Sequence, residues 1–274
     1  MSYQQLMTDI SISVVTPSYN QSEFIEDNLQ SVMNQSGADI EHVVVDGGST
    51  DRTTDILEEY ENRYNLQWIS EPDNGQSDAI NKGIEQATGD WIWWVNSDDY
   101  LLPNAVEKFA NKIGDRDGCD VVYGDYIFVD SQGNEIDRKY STRPSPFIHK
   151  HYYQFTGNHS AVIRRDVLQS LGGVDESLDY VMDTELLWRL LEADLDYIQI
   201  DSFLAARRLH EEAKTTGTPP VERLTEIREL KRQYHLSWYE NVIPTPVLTV
   251  TAICLEGFYH TIDGRPHALR YLTQ

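Results

Sequence analysis

Hydrophobic positions in the first part of the chain follow two periods in turn. Compact apolar runs, typical of buried strands, occupy Ile10 to Thr16, Ile40 to Val45, Leu66 to Ser70 and Trp91 to Val95. After each run, apolar residues recur every three or four positions, which is the spacing of an amphipathic helix. Strands that alternate with helices through short loops predict a parallel sheet with right-handed crossovers over roughly residues 10–115.

The pattern becomes less regular after Gly118, and the second part of the chain predicts a mixture of shorter elements. In order, these are a strand over 120–129, a hairpin turn at 130–134, an irregular aromatic segment over 140–160, a helix over 181–191, a short strand over 197–200, a polar loop over 207–220 and a charged helix over 221–234.

The aromatic strand at residues 91–95 ends just before two adjacent carboxylates, Asp98 and Asp99. In open α/β sheets, ligands bind beyond the carboxyl ends of the strands, which is where this pair would lie. Two carboxylates so close repel each other, and a nearby cation would relieve the repulsion. Oxygen ligands suit Mg²⁺ or Mn²⁺, so the pair indicates a metal site. The alternative is a solvated acidic turn.

The net charge of −23 narrows the function classes. Nucleic-acid binding is not expected, because it requires a basic surface. The chain has only 7 Lys against 15 Arg, and acidic residues outnumber basic ones by 45 to 22. The surplus negative charges on such a protein repel one another, and this repulsion is tolerated where a high salt concentration screens it. We therefore hypothesise a halophilic source.

The remaining features predict a cytoplasmic protein. Cys119 and Cys254 are too few for a disulfide framework and lack metal-ligand spacing. Residues 1–9 do not have the pattern of a signal peptide, and no apolar run approaches the ~20 residues that span a bilayer. The apolar tail, Val242 to Ile262, could lie peripherally on the cytosolic membrane face or dock on the protein. Docking is favoured, since no basic face accompanies the tail.

Four polar motifs occur in order at the ends of the predicted strands. They are VVTPSYN at 14–20, VDGGSTD at 45–51, EPDNGQSDAINKG at 71–83 and NSDD at 96–99. Together they resemble the inverting family 2 glycosyltransferases with the GT-A fold, of the exopolysaccharide or surface-glycan type, over roughly residues 10–215.

The resemblance implies an α/β fold with a Rossmann-like, mostly parallel sheet, helices on both faces and a smaller mixed sheet on the acceptor side. It also implies a GT-A domain over 1–220, with a nucleotide-binding half over 10–115 and an acceptor and metal half over 116–220. Residues 221–274 would then be a C-terminal helical extension.

The same resemblance assigns a nucleotide-sugar site. Its predicted members are Pro17, Tyr19, Asp46, Gln76, Asp78, Lys82 and Asp98. An aromatic ring such as that of Tyr19 can stack on a base, and a carboxylate such as that of Asp46 can accept a hydrogen bond from a base N–H. The alternatives are that Tyr19 packs on the sheet, that Asp46 caps a helix and that Lys82 is a surface residue.

The resemblance further implies that Asp99 and His210 ligate Mn²⁺ or Mg²⁺, and that Asp183 is the general base. A base must be ionised to accept a proton, and a position at a helix start favours the carboxylate. Met182 stands where the family usually has Glu, which leaves open whether Asp183 or Glu185 acts. The alternatives are a helix cap for Asp183 and an exposed loop position for His210.

The resemblance therefore implies a metal-dependent enzyme that moves a hexose from a UDP- or GDP-linked sugar to an acceptor hydroxyl with inversion. The acceptor would be a glycan or a lipid-linked oligosaccharide. One alternative is a polyprenyl-phosphate sugar synthase, and another is a module that binds nucleotide sugars without catalysis. A sugar-1-phosphate nucleotidyltransferase is disfavoured, because residues 18–22 contain neither glycine nor a basic residue.

Overall fold

The computed structural model of the chain describes residues 10–114, 118–146, 155–211, 213–214 and 221–234. Within these ranges, nine strands form one sheet. The strands are β1 (Ser11–Ser18), β2 (Asp39–Asp46), β3 (Leu66–Ser70), β4 (Trp91–Trp94), β5 (Tyr100–Leu101), β6 (Val121–Val129), β7 (Glu135–Lys139), β8 (Ala161–Arg164) and β9 (Tyr197–Arg208).

Seven α-helices connect or flank the strands in the described part of the chain. They are α1 (Ile25–Met33), α2 (Thr53–Tyr60), α3 (Gln76–Gln86), α4 (Ala105–Ile113), α5 (Arg165–Leu171), α6 (Met182–Glu192) and α7 (Val221–Gln233). A 3₁₀ turn, Asn158–Ser160, precedes β8.

The sheet has a parallel part and a mixed part that are continuous. The main strand order is β3-β2-β1-β4-β8-β6-β9-β5, with β7 paired to β6. The first four strands are parallel, which confirms the prediction for the first part of the chain. Strand β8 joins β4 to β6 by antiparallel pairing on both of its sides. The mixed region that the resemblance implies therefore extends the parallel region directly.

Helices cover both faces of this sheet. Successive side chains of a strand point to opposite faces, and β1 shows where each face leads. Val15 packs in one core cluster with Ile80 of α3, whereas Val14 packs in another with Phe109 of α4. Both α-helical layers are thus held by the same buried strand, and the loops at its carboxyl end lie between them.

Strand β9 is longer than the sequence pattern predicted. A short strand over 197–200 and a polar loop from Arg207 were expected, but β9 continues to Arg208. Leu204, Ala205 and Ala206 are fully buried, and the strand pairs with β6 on one side and β5 on the other. This pairing carries Arg207 and Arg208 into the sheet, so the prediction of a loop was wrong at these two residues.

The charged helix predicted over 221–234 is confirmed as α7. The apolar tail at 242–262 lies outside the described residues. In the part of the chain that the structure describes, no helix combines the length and the apolar character needed to cross a membrane.

Candidate functional site

A cavity of about 620 Å³ opens at the carboxyl ends of the parallel strands. Its wall includes the end of β1, the loop after β4, the start of α3, the start of α6 and the segment that follows β9. The polar and aromatic side chains at its wall include Tyr19, Asn20, Gln76, Asn96, Asp98, Asp99, Asn158, Tyr180, Asp183, Arg207, His210 and Lys214. The site lies where ligands bind in open α/β sheets.

The loop after β1 presents Pro17 and Tyr19 to this cavity. Tyr19 is 58% exposed, so its ring is available to a ligand and is not packed against the sheet. The loop is tied to the one after β2, because the amide of Asn20 donates to Ser49 at 2.7 Å and the amide of Thr50 donates to Asn20 at 2.8 Å. These bonds fix the place of the exposed ring.

Asp46 lies at the end of β2, beside Ser18 of β1, and is fully buried. Its carboxylate accepts hydrogen bonds from the amides of Gly48 (3.2 Å) and Ser49 (2.8 Å) and from the hydroxyl of Ser70 (2.6 Å). Asp46 is not among the described residues that line the cavity, whereas Gly47 is. The described contacts of Asp46 hold the turn, and its role in binding a base stays a prediction.

The three residues predicted from the third motif divide into two groups. Gln76 lines the cavity and donates to Asn96 at 3.0 Å. Lys82 pairs with Glu71 at 3.0 Å and with Asp78 at 3.5 Å, and of the described residues neither Lys82 nor Asp78 belongs to the cavity wall. The hydrogen bond to Glu71 raises the pKa of Lys82.

The acidic pair, Asp98 and Asp99, lines the cavity beyond the carboxyl end of β4, as the sequence predicted. The carboxylate of Asp98 lies 3.1 Å from Nε2 of His210, whose ring packs on Phe24 with centroids 4.5 Å apart. Asp99 is 3% exposed, and its Oδ1 accepts the backbone amide of Arg208 at 2.9 Å. Burial, and then the charge of Asp98, raise the pKa of Asp99 well above its ordinary value.

Arg208 is a functional-site residue that the sequence analysis missed. Its guanidinium donates to the carbonyl of Asp98 at 3.0 Å and to the carboxylate of Asp27 at 2.6 Å. It also lies over the ring of Phe24, 4.9 Å from the centroid. Arg208 thus holds the loop that carries Asp98 and Asp99. Its position two residues before His210 is the signal in the sequence that could have indicated it.

The side chains of Asp98, Asp99 and His210 fit a divalent cation whose remaining coordination positions are filled by a bound substrate. No group of three or more His, Cys, Asp or Glu side chains is arranged around a metal position in the described ranges. Carboxylate oxygens and an imidazole nitrogen meet at Asp98 and His210, with Asp99 adjacent. Mg²⁺ is commonly held by one or two carboxylates together with substrate phosphates, and imidazole also suits Mn²⁺. Ligation by Asp99 and His210 stays a prediction.

The start of α6 places Asp183 and Glu185 in different surroundings. Asp183 lines the cavity and is not the N-cap of the helix, a position that Val181 holds. Glu185 is buried and forms an ion pair with Arg189, with Nη2 2.6 Å from Oε2. Of the two acids that the sequence left open, only Asp183 has access to a ligand in the cavity.

Besides Arg208, two cations at the wall were not predicted as ligand contacts. Arg207 and Lys214 both line the cavity, and Nζ of Lys214 lies 3.3 Å from the carbonyl of Asp179. In a protein of net charge −23, these residues place positive charge at the wall of the cavity that also holds the acidic pair. In the 3₁₀ turn before β8, Asn158 lines the cavity, whereas Nδ1 of the buried His159 lies 3.8 Å from Oδ2 of Asp99.

Comparisons with known proteins agree on one family. A family model described as "Glycosyl transferase family 2" matches residues 13–172, which is more than half of the chain. The Bacillus subtilis protein TuaG, named as a teichuronic acid biosynthesis glycosyltransferase, is 35% identical over 130 residues. These residues make up 46% of this chain and 51% of TuaG, so the chain spans about half the length of that relative.

Solved structures share the fold at lower identity. TarS 1–349 of S. aureus, in complex with UDP-GlcNAc, has a TM-score of 0.64 at 23% identity, over 80% of this chain and 64% of that one. The mannosyltransferase PcManGT of Pyrobaculum calidifontis, in complex with GDP-Man and Mn²⁺, has a TM-score of 0.56 at 16% identity, over 95% and 78%. The GT-A architecture expected from the sequence is therefore confirmed.

Proposed function

The chain belongs to glycosyl transferase family 2, and from this premise we propose that it transfers a hexose from a nucleoside diphosphate sugar to an acceptor hydroxyl. The observation that supports this most is the composition of the cavity. One space of about 620 Å³ joins an exposed aromatic ring, an acidic pair beside an imidazole, three Arg and Lys side chains and the carboxylate of Asp183.

The donor would lie along the ends of β1 and β4. Tyr19 offers a face on which a nucleobase can stack, and Asp98 would contact the ribose or the sugar. Arg207 and Lys214, which both line the cavity, would face the diphosphate. Arg208, the third cation at the described wall, would hold the loop of the acidic pair. The solved relatives are complexes with UDP-GlcNAc in one case and GDP-Man in the other, so either base is compatible with the fold.

Asp99 and His210, with Asp98 beside them, would hold Mn²⁺ or Mg²⁺ together with the donor's phosphates. When bound, such a cation stabilises the negative charge that develops on the leaving nucleoside diphosphate. Nε2 of His210 lies 3.1 Å from Oδ2 of Asp98. The imidazole and the acidic pair are therefore close enough to hold one cation without a large movement of the loop.

Asp183 would act as the general base. Its carboxylate accepts the proton of the acceptor hydroxyl while that oxygen bonds to the anomeric carbon. The bond from the anomeric carbon to the phosphate oxygen breaks in the same step, and the nucleoside diphosphate leaves. A single displacement of this kind inverts the anomeric centre. Glu185 is a poor candidate, because Arg189 and Tyr234 already occupy its carboxylate.

The acceptor is proposed to be a surface glycan or a lipid-linked oligosaccharide. The name of TuaG places that relative in teichuronic acid biosynthesis. The wall around Asn158 and Tyr180 would give a sugar ring an aromatic and an amide contact. Contact of the C-terminal tail with the cytosolic membrane face would suit a lipid-linked acceptor. A polyprenyl-phosphate acceptor remains the second candidate, because Arg207 and Lys214 could also face its phosphate.

A panel of UDP-glucose, UDP-GlcNAc and GDP-mannose tests this function. We expect one donor to bind in calorimetry with Mn²⁺ and to be hydrolysed slowly when no acceptor is present. Asp183→Asn should keep the donor affinity and lower the hydrolysis rate by roughly 10²-fold or more, because the base is lost and the shape is kept. Glu192→Gln, at the other end of α6, is the matched control. A rate that equals the uncatalysed background and does not change in Asp183→Asn would instead indicate a binding module without catalysis.

Adaptation to high salt is a separate part of the proposal. Its support is the excess of 45 acidic over 22 basic residues, which leaves the folded chain self-repelling in dilute buffer.

A further inference from the structure

One face of α7 is attached to α6, beyond the residues that the family model matches. Glu226, Leu230 and Tyr234 follow one another at intervals of four and so share this face. Leu230 is 3% exposed and lies in the same core cluster as residues of α6. The hydroxyl of Tyr234 donates to Glu185 at 2.9 Å, and its ring meets Trp188 edge-on, with centroids 5.1 Å apart.

The contact made by Glu226 is of a different kind from the other two. Its Oε1 accepts the backbone amide of Asp179 at 3.0 Å, and its Oε2 accepts those of Tyr180 at 2.9 Å and Val181 at 3.2 Å. These amides belong to the N-cap residue Val181 and to the two residues before it, immediately ahead of α6. The N–H groups at this end of a helix have no partner within the helix. A carboxylate is favoured there by the helix dipole, and its hydrogen bonds are strengthened by its charge.

The segment that Glu226 holds forms one wall of the cavity. Asp179, Tyr180, Met182 and Asp183 all line it, and Asp183 follows Val181 by two residues. The position of the Asp183 carboxylate therefore depends on the backbone of residues 179–181. That backbone donates three hydrogen bonds to Glu226 of another helix, in addition to the local turn in which the amide of Leu178 donates to Asp175 at 3.2 Å.

We propose that Glu226 is a positioning residue, which acts through the backbone of residues 179–181 to set the place of Asp183 and Tyr180 on the acceptor side of the cavity. The inference rests on the proposed role of Asp183 as the base. It assigns to α7 a part in the reaction, since a base displaced by about 1 Å can lower the rate by roughly 10²-fold.

The variant Glu226→Gln tests this at constant shape. Its amide would turn an N–H₂ group toward backbone N–H groups that now donate to an oxygen, so at least one of the three bonds is lost. With the donor that binds most tightly in the panel, we expect the kcat for hydrolysis to fall roughly ten- to a hundredfold. Donor Kd and the number of binding sites should stay as in the wild type, because the donor wall does not include α7. Glu229→Gln, on the exposed face of the same helix, should leave both kcat and donor Kd at the wild-type values.

Hydrogen exchange gives a readout that does not depend on activity. The amides of residues 179–181 should exchange faster in Glu226→Gln than in the wild type or Glu229→Gln, both with and without donor. Unchanged exchange or an unchanged kcat would each overturn the inference. So would a fall in kcat that matches a fall in the number of donor-binding sites, because the variant would then simply contain less folded protein. If Asp183→Asn leaves hydrolysis intact, the proposed function fails as well. If Asp183→Asn abolishes hydrolysis and Glu226→Gln does not affect it, this inference fails alone.

Discussion

Arg208 connects the end of β9 to the acidic pair after β4. Its backbone amide donates to Asp99, and its guanidinium bridges the carbonyl of Asp98 and the carboxylate of Asp27. The contacts around a metal ligand fix its orientation, and their loss typically lowers metal affinity about 10–100-fold. The arrangement predicts that Arg208 acts on the donor through Asp98 and Asp99.

Arg208→Lys keeps the positive charge but loses the planar guanidinium that donates to two partners at once. We therefore expect it to weaken donor binding about tenfold in Mn²⁺. Without a divalent cation, its donor affinity should equal that of the wild type, because the altered contacts are those of the acidic loop. Calorimetry in Mn²⁺ and in EDTA measures both values. Arg164→Lys, at the end of β8, alters an exposed ion pair with Asp166 of α5 and is the control. Equal weakening in both buffers would indicate a general loss of structure.

Individual site residues were predictable where a motif coincided with a strand end. Tyr19, Asp98, Asp99 and Asp183 all line the cavity that their positions in the sequence indicated. A motif does not give the direction of a side chain, however, and Lys82 turns to Glu71 while Asp46 turns to its own loop. Arg208 and Glu226 were missed because their partners are 110 and about 45 residues away in sequence.

Among the elements, α3 illustrates how closely a helix approaches the parallel sheet. A Cβ placed on Gly83 would lie 2.4 Å from Cγ1 of Val15 on β1. Val15 is fully buried in the middle of the sheet, so it has little space in which to move. The contact between α3 and β1 in turn sets the position of Gln76 at the cavity.

Gly83→Ala should consequently lower the free energy of unfolding by about 1–3 kcal/mol, through the overpacking of this contact. Helix propensity alone would change it by about 1 kcal/mol in the opposite direction. Urea denaturation distinguishes the two results by sign. Gln86→Ala, at an exposed position of the same helix, should stay within about 0.5 kcal/mol of the wild type. A stabilised Gly83→Ala variant would show that the helix is not held so tightly.

The parallel elements were predictable because uninterrupted apolar runs mark strands that are buried on both faces. The mixed region was less so. Strand β9 continues through the polar residues Asp201 and Ser202, where its pairing with β6 shifts register at Gly124 and Asp125. Strand β8 follows an irregular aromatic segment and is only four residues long. Its formation depends on pairing with β4 and β6, which no local pattern reveals.

For the whole molecule, the net charge of −23 predicts that stability depends on salt. Raising the ionic strength shortens the Debye length from about 10 Å at 0.1 M to about 3 Å at 1 M, which screens repulsion between surface carboxylates. We expect the midpoint of thermal unfolding to rise between 0.1 M and 1 M KCl by several degrees. Scanning calorimetry measures the midpoint in each KCl concentration, and sucrose serves as an uncharged solute for comparison. A midpoint that is equal in both salt concentrations would contradict the proposed adaptation to high salt.

In the proposed site, one cavity holds a nucleoside diphosphate sugar through a cation at the acidic pair. Calorimetric titration of UDP-GlcNAc and GDP-mannose, in Mn²⁺ and in EDTA, measures whether donor binding requires that cation. We predict that one donor binds at least tenfold more tightly in Mn²⁺, and that His210→Ala removes most of that difference. Equal affinities in the two buffers, or an unchanged metal dependence in His210→Ala, would contradict the account.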